Sequence, residues 1–169
     1  MAIAAALISL VLPHTASAAA LSLDGTWHVI PDRADSGLQE GWWNRNARVG
    51  QLSKSIPVLG NTYEALSGFN GIAWHEREFL LSRAPAPGRR SFLRFGAVQY
   101  LCQVWLNGQE VGRHEGAESP FELEVTGQLH TGTNALVLRV VNPPGIFRNG
   151  HVSVLYDQGG MIGHVDLMV

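Results

Sequence analysis

The stretch Val104-Trp105-Leu106-Asn107-Gly108-Gln109-Glu110-Val111-Gly112 places two short apolar runs on either side of an Asn-Gly pair. Both central residues of a type I′ turn need φ > 0, which Asn-Gly tolerates best, so the stretch predicts a tight β-hairpin. The neighbouring chain keeps the same period. His114-Glu115-Gly116-Ala117-Glu118-Ser119-Pro120 is rich in turn formers, and Phe121, Leu123 and Val125 then alternate with Glu122 and Glu124. A period of two sets one face on a core and the other in water. After the turn Gly132-Thr133-Asn134 the alternation restarts with Leu136, Leu138 and Val140. Nothing from Phe92 to Asn142 repeats at helical spacing. The middle of the chain reads as an antiparallel β-meander.

Working outward, strands are expected near residues 21–30, 72–81, 91–95, 100–106, 109–114, 120–125, 134–141, 151–155 and 162–168. Asp24-Gly25 forms a bend in the first of them. Pro85-Ala86-Pro87-Gly88 and Asn142-Pro143-Pro144-Gly145 break the series, because proline cannot donate to a ladder. Pro31 to Arg48 is a polar surface loop with room for one helical turn, holding Asp32, Asp35, Trp42 and Trp43. Asn61 to Gly71 is a second loop. Eight or nine short, regularly punctuated strands define an all-β class, an antiparallel β-sandwich of jelly-roll type.

A length of 169 residues suits one domain with a real core. The net charge of −2 gives no footprint for nucleic acid or an acidic membrane surface. With 46% hydrophobic and 15% charged residues the chain is globular rather than disordered. The single cysteine, Cys102, has no partner within the chain, and its place in a strand marks it as a small core hydrophobe.

Residues 1–18 differ from the rest. Ala2 to Leu12 is apolar apart from Ser9, and Ala16-Ser17-Ala18 offers a small-x-small cleavage site. The segment reads as a secretory signal peptide, shorter than the roughly 20 residues that span a bilayer. Its n-region holds no Lys or Arg, so a start codon assigned inside a longer leader is the alternative. Either way the mature domain is 19–169, and the expected location is secreted or periplasmic.

Phe92-Leu93-Arg94-Phe95, the Asn-Gly hairpin, His114-Glu115-Gly116 with Ser119-Pro120-Phe121, and Gly132 through Asn142 together resemble the N-terminal sugar-binding domain of glycoside hydrolase family 2. That family includes β-galactosidases, β-glucuronidases and β-mannosidases. Gly71-Ile72-Ala73-Trp74-His75-Glu76-Arg77-Glu78-Phe79 is similar to its Gly-x-x-Trp-Tyr-x-Arg-x-Phe strand, with His75 where Tyr is usual. Gly159-Gly160-Met161-Ile162-Gly163-His164-Val165-Asp166-Leu167 resembles its closing strand. The resemblance covers 23–169. It implies a galactose-binding-domain-like jelly roll, a glycan or glycoside as ligand, and a catalytic (β/α)₈ barrel as partner domain.

In that family both catalytic glutamates lie on the barrel, which these residues do not contain. Retaining glycosidases need two carboxyl groups about 5 Å apart. The pairs Glu76/Glu78, Glu115/Glu118 and Glu122/Glu124 are geometrically conceivable, since residues i and i+2 share a strand face. The wet face of a strand explains Glu122 and Glu124 better, and Glu76 and Glu78 share that context. No Gly-x-Ser-x-Gly elbow and no second histidine after His75-Glu76 provide other hydrolytic chemistry. The domain is therefore expected to be non-catalytic by itself, an accessory piece of an O-glycosyl hydrolase. No cofactor is implied. A structural Ca²⁺, which jelly-roll sugar-binding domains often carry, fits loop oxygens in general, but the sequence assigns no ligands.

A sugar site needs an aromatic face for the pyranose and planar polar groups for its hydroxyls. Trp42 and Trp43 lie in a loop and are the aromatic candidates; the alternative is that they plug the end of the sandwich. Trp27, Trp74 and Trp105 sit in strands and belong to the core. The resemblance adds Asp157, in Leu155-Tyr156-Asp157-Gln158, as an Asp that reaches toward a neighbouring barrel's active site. Two departures accompany it: a shorter loop before Gly159, and Gly163 where an Arg is usual. Asn61 stands in the loop where β-galactosidases present a substrate-contacting Asn. The other function class open to such a chain is a protein-interaction or structural β-sandwich with no sugar site.

Overall fold

An alternating strand gains stability only when a second layer covers its apolar side, and this chain supplies that layer itself. The computed structural model describes residues 20–48, 52–142, 147–148, 151–152 and 159–169. The strands are β1 (Ala20–Ser22), β2 (Gly25–Pro31), β3 (Lys54–Val58), β4 (Ile72–Leu81), β5 (Phe92–Phe95), β6 (Val98–Gln99) and β7 (Leu101–Leu106). They continue with β8 (Gln109–Glu115), β9 (Phe121–Glu124), β10 (Gly132–Val141), β11 (Phe147–Arg148), β12 (His151–Val152), β13 (Gly160–Met161) and β14 (Val165–Met168). A short helix, α1 (Thr62–Ala65), and a 3-10 turn at Arg45–Arg48 are the helical pieces among the described residues.

Four strands pair in the order β1-β14-β5-β9, and six in the order β3-β2-β4-β10-β7-β8. All their pairings are antiparallel. Leu93, Phe95, Val165 and Leu167 of the smaller sheet share one buried cluster with Trp27, Val29, Val104, Leu106, Leu136, Leu138 and Val140 of the larger. The expected all-β sandwich is the observed fold. Cys102 sits in this cluster, and burial pushes its thiol pKa up.

The Asn-Gly pair makes the predicted turn, with φ of 52° at Asn107 and 81° at Gly108. Its amide does more than turn the chain. Asn107 Nδ2 donates to Gln128 O and to Asn134 Oδ1, both at 2.9 Å, and Asn107 Oδ1 accepts from Ala135 N at 2.9 Å. Asn134 is fully buried, and its Nδ2 donates to His130 O and Gly132 O. Two turns distant in sequence are thereby locked together, with the buried polar atoms paired as burial demands.

At the β9 edge, Glu122 and Glu124 lie opposite Arg94 and Phe92, on the wet face. Arg90 holds Glu124 with two hydrogen bonds and draws its carboxyl down to about 2. Such exposed pairs add little stability, but charge on an edge strand discourages pairing with another chain.

Three expectations need correction. The segment 21–30 is not one strand: β1 belongs to the smaller sheet and β2 to the larger. Between them Asp24 turns back, accepting from Val165 N at 3.0 Å and lying 2.6 Å from His164 Nδ1, while Gly25 takes φ of 110°. The closing strand is likewise divided into β13 and β14, with Gly163 N donating to Ala97 O in the gap. Third, the expected strands leave out 54–58, which forms β3; Ile56-Pro57-Val58 lies in this edge strand, where a missing N–H is tolerated. The leader 1–18, the break at 143–146 and most of the strand expected at 151–155 lie outside the described residues.

Leu136 is fully buried at the centre of the core, while Leu80, on the other face of the same sheet, is 71% exposed. Leu136→Ala is expected to lower unfolding stability by about 2–5 kcal/mol and Leu80→Ala by less than about 0.5 kcal/mol, read by urea denaturation.

Candidate functional site: the loop end of the larger sheet

The larger sheet has a second buried face, on its outer side. Ile30, Trp42, Trp74, Trp105 and Val137 form a separate apolar cluster there, with Trp43 packed against it. Ile30, Trp74 and Val137 come from three neighbouring strands, and loop 32–48 folds over them. Asp32 holds the loop in place. Its buried carboxylate accepts from Trp74 Nε1, Ser36 N and Gly37 N, each at 3.0 Å. Asp32 N in turn donates to Ile72 O. A Cβ on Gly37 would stand 2.5 Å from Trp74 Nε1, so only glycine lets the loop lie this close. Arg139 of β10 adds an ion pair to Asp35 at 2.6 Å.

This placement decides what the two loop tryptophans present. Trp42 is 5% exposed, tilted against Trp74, and its Nε1 donates to Glu40. Trp43 is half-buried and stacks on Trp105 at 5.9 Å between ring centroids. Both indoles go to the outer face of the sheet rather than to the end of the sandwich, and Trp43 is the one with surface left. Trp27, Trp74 and Trp105 are buried as expected, but only Trp27 lies between the sheets.

Asn61 caps α1. Its Oδ1 accepts from Tyr63 N at 2.9 Å and from Glu64 N at 3.4 Å, so helix capping accounts for this oxygen. The next residue joins two distant loops: Thr62 N donates to Gly159 O at 2.8 Å. Gly160 is needed at this joint, because a Cβ there would fall 2.1 Å from Thr62 Oγ1. Gly159 follows Asp157 by two residues, so the joint brings the Asn61 loop to the described end of the Asp157 segment. Asp157 itself lies outside the described residues.

Beneath this joint sits His75, which sequence reasoning noted only as a departure from Tyr. It is fully buried, with Nε2 3.4 Å from Thr62 Oγ1. Burial in apolar surroundings pulls its pKa down to about 4, so the ring is neutral at pH 7. Thr62, Phe69, Asn142 and Gly160 line a small cavity with it, about 10 Å³ and at the lower limit for one water. Arg33 lies over the Phe69 ring at 4.5 Å, and so ties the start of loop 32–48 to the same end of the sandwich. Among the described residues no group of three or more His, Cys, Asp or Glu could hold a metal ion. Glu76 and Glu78 lie on the outer face of β4 and Glu122 and Glu124 on the wet edge, and no described carboxylate pair is sunk in a pocket.

An antiparallel two-sheet sandwich is shared by domains of many functions, and the sequence narrows the class. Residues 55–166 match the glycosyl hydrolases family 2 sugar binding domain, and the chain belongs to that family. The β-glucuronidase of Canis lupus familiaris is 32% identical over 120 residues, covering 65% of this chain and 18% of that protein. The β-glucuronidase of Mus musculus is 32% identical over 121 residues, covering 66% of this chain and 19% of that protein. The chain thus spans about a fifth of the curated relatives it matches. In fold it is similar to the β-glucuronidase from Ruminococcus gnavus in complex with D-glucaro 1,5-lactone. That likeness has a TM-score of 0.71 at 23% identity and covers 96% of this chain and 30% of that one.

Asp32→Ala removes the acceptor of three N–H donors and is expected to cost about 2–3 kcal/mol, with a red shift and loss of structure in the tryptophan fluorescence. His75 adds a pH dependence. Its folded pKa lies below the unfolded value of about 6.5, so the unfolded chain binds more protons between that value and about 4. Stability from this group is full above the upper limit and falls as the pH drops through the window, by about 3 kcal/mol in all. Urea midpoints of the parent and His75→Gln between these limits should differ in slope.

Proposed function

We propose that this domain positions a glycoside for a (β/α)₈ barrel of the same longer protein, as its likeness to β-glucuronidases suggests. The family match carries this reading, and the Thr62–Gly159 joint supports the location. In it, Asn61 and Asp157, which precedes Gly159 by two positions in sequence, are assigned to sugar contact at this rim, while Trp43, stacked on Trp105, is an aromatic surface on the outer face of the larger sheet. The sugar-contacting surface is small, so the domain contributes orientation more than affinity. The apolar run Ala2–Leu12 with Ala16-Ser17-Ala18, read as a signal peptide, supports a location outside the cytoplasm. The acid–base chemistry belongs to the barrel, and the domain by itself turns over no substrate.

Calorimetry of the chain with methyl β-glucuronide, β-galactoside and β-mannoside tests the binding. One of the three should bind, and Asp157→Ala should weaken it about tenfold, equivalent to about 1.4 kcal/mol. Affinity unchanged in Asp157→Ala would remove the proposed rim, and affinity unchanged in Trp43→Ala would remove the aromatic surface. Turnover of a chromogenic glycoside by the purified chain, abolished by one Glu→Gln change, would overturn the accessory role.

A further inference from the structure

The outer face of the larger sheet is only partly covered. The 32–48 loop seals Ile30, Trp74 and Val137, while among the described residues nothing covers the end formed by β10, β7 and β8. There the antiparallel register sets Arg139 opposite Gln103, and Gln103 opposite Arg113. Three planar polar side chains thus stand side by side across three strands. The next row brings Val141, Leu101 and Glu115 together. These residues line a cleft of about 440 Å³, within the range that accepts a small ligand. One row the other way, Trp105 carries the half-buried Trp43.

The charges around the cleft indicate what it takes, and they do not favour an anion. Arg139 is paired with Asp35, and Arg113 with Glu110 at 2.6 Å. Glu115 is additional, its carboxylate accepting from Tyr100 OH at 3.2 Å. A carboxylate ligand would therefore face three acidic groups against two guanidinium groups. A neutral pyranose meets no such opposition. Its hydroxyls both donate and accept, matching Gln103, Arg113 and Glu115, and its C–H face suits Leu101 and Val141.

We propose that this cleft is a binding site for a neutral hexopyranose, separate from the Asn61–Gly159 rim. The two lie on opposite faces of β10: Val141 lines the cleft, whereas Val140 lines the small cavity beneath the rim. The cleft is argued from its own residues and does not depend on the rim's role.

Amide correlation spectra of the isotope-labelled chain test it, with methyl β-D-glucopyranoside, galactopyranoside, mannopyranoside and methyl β-D-glucuronide added to about 50 mM, a range that reports millimolar affinity. At least one neutral glycoside should shift residues 101–103, 113–115 and 139–141 saturably. Gln103→Ala and Arg113→Gln should each weaken that binding about fivefold, with spectral dispersion retained. The glucuronide should bind the cleft at least about threefold more weakly. No saturable shift in the cleft with any neutral glycoside, tighter binding of the glucuronide there, or affinity unchanged in both variants would overturn the proposal. Shifts confined to residues 59–63 and 159–162 would overturn it while supporting the rim; shifts confined to the cleft would do the reverse.

Discussion

The six-stranded sheet carries apolar residues on both faces, and the structure depends on covering both. Its inner face meets the four-stranded sheet. The Trp74 end of its outer face is closed by a loop with no strand of its own, held there by the carboxylate of Asp32. A buried carboxylate is unfavourable unless its lone pairs are used. Asp32 uses them on the Trp74 indole and on two backbone donors of the loop, so one group satisfies the turn and anchors it to the sheet. The loop then has little freedom to rearrange, and a side chain projecting from it, such as Trp43, is presented in a fixed orientation. Binding surfaces gain from such preorganisation because less entropy is lost on contact.

The centre of the fold was legible because its local signals agree with its tertiary demands. Asn107-Gly108 needs positive φ, and the turn takes it. Leu136, Leu138 and Val140 alternate, and all three enter the core. Legibility failed where a residue's partner lies far away in sequence. In Ala73-Trp74-His75 three consecutive residues are buried, which a period of two cannot announce; Trp74 is covered only because Asp32 and Trp42 come to it. The split of the first strand is of the same kind. Asp24 turns there because Val165 and His164, some 140 positions on, offer it hydrogen bonds.

The site was less legible than the fold, for a chemical reason. A residue type compatible with sugar binding is also compatible with holding a loop together, and only geometry separates the two. Asn61 illustrates this: its oxygen caps α1. Trp42 illustrates it again, since the same indole that could cover a pyranose covers Trp74 instead. His75 escaped because a lone histidine in a strand carries no motif; its signal was the departure from Tyr at that position.

The proposed rim and the proposed cleft rest on different parts of the fold. The loop end is built from backbone joints such as Thr62–Gly159. The cleft is built from strand register, which fixes Arg139, Gln103 and Arg113 relative to one another whatever the loops do. A one-residue slip of β7 would send Gln103 to the core and Cys102 to the cleft, and the buried Cys102, Val104 and Leu106 oppose that slip strongly. The hydrophobic alternation that specifies the fold therefore also specifies the spacing of the cleft's polar row.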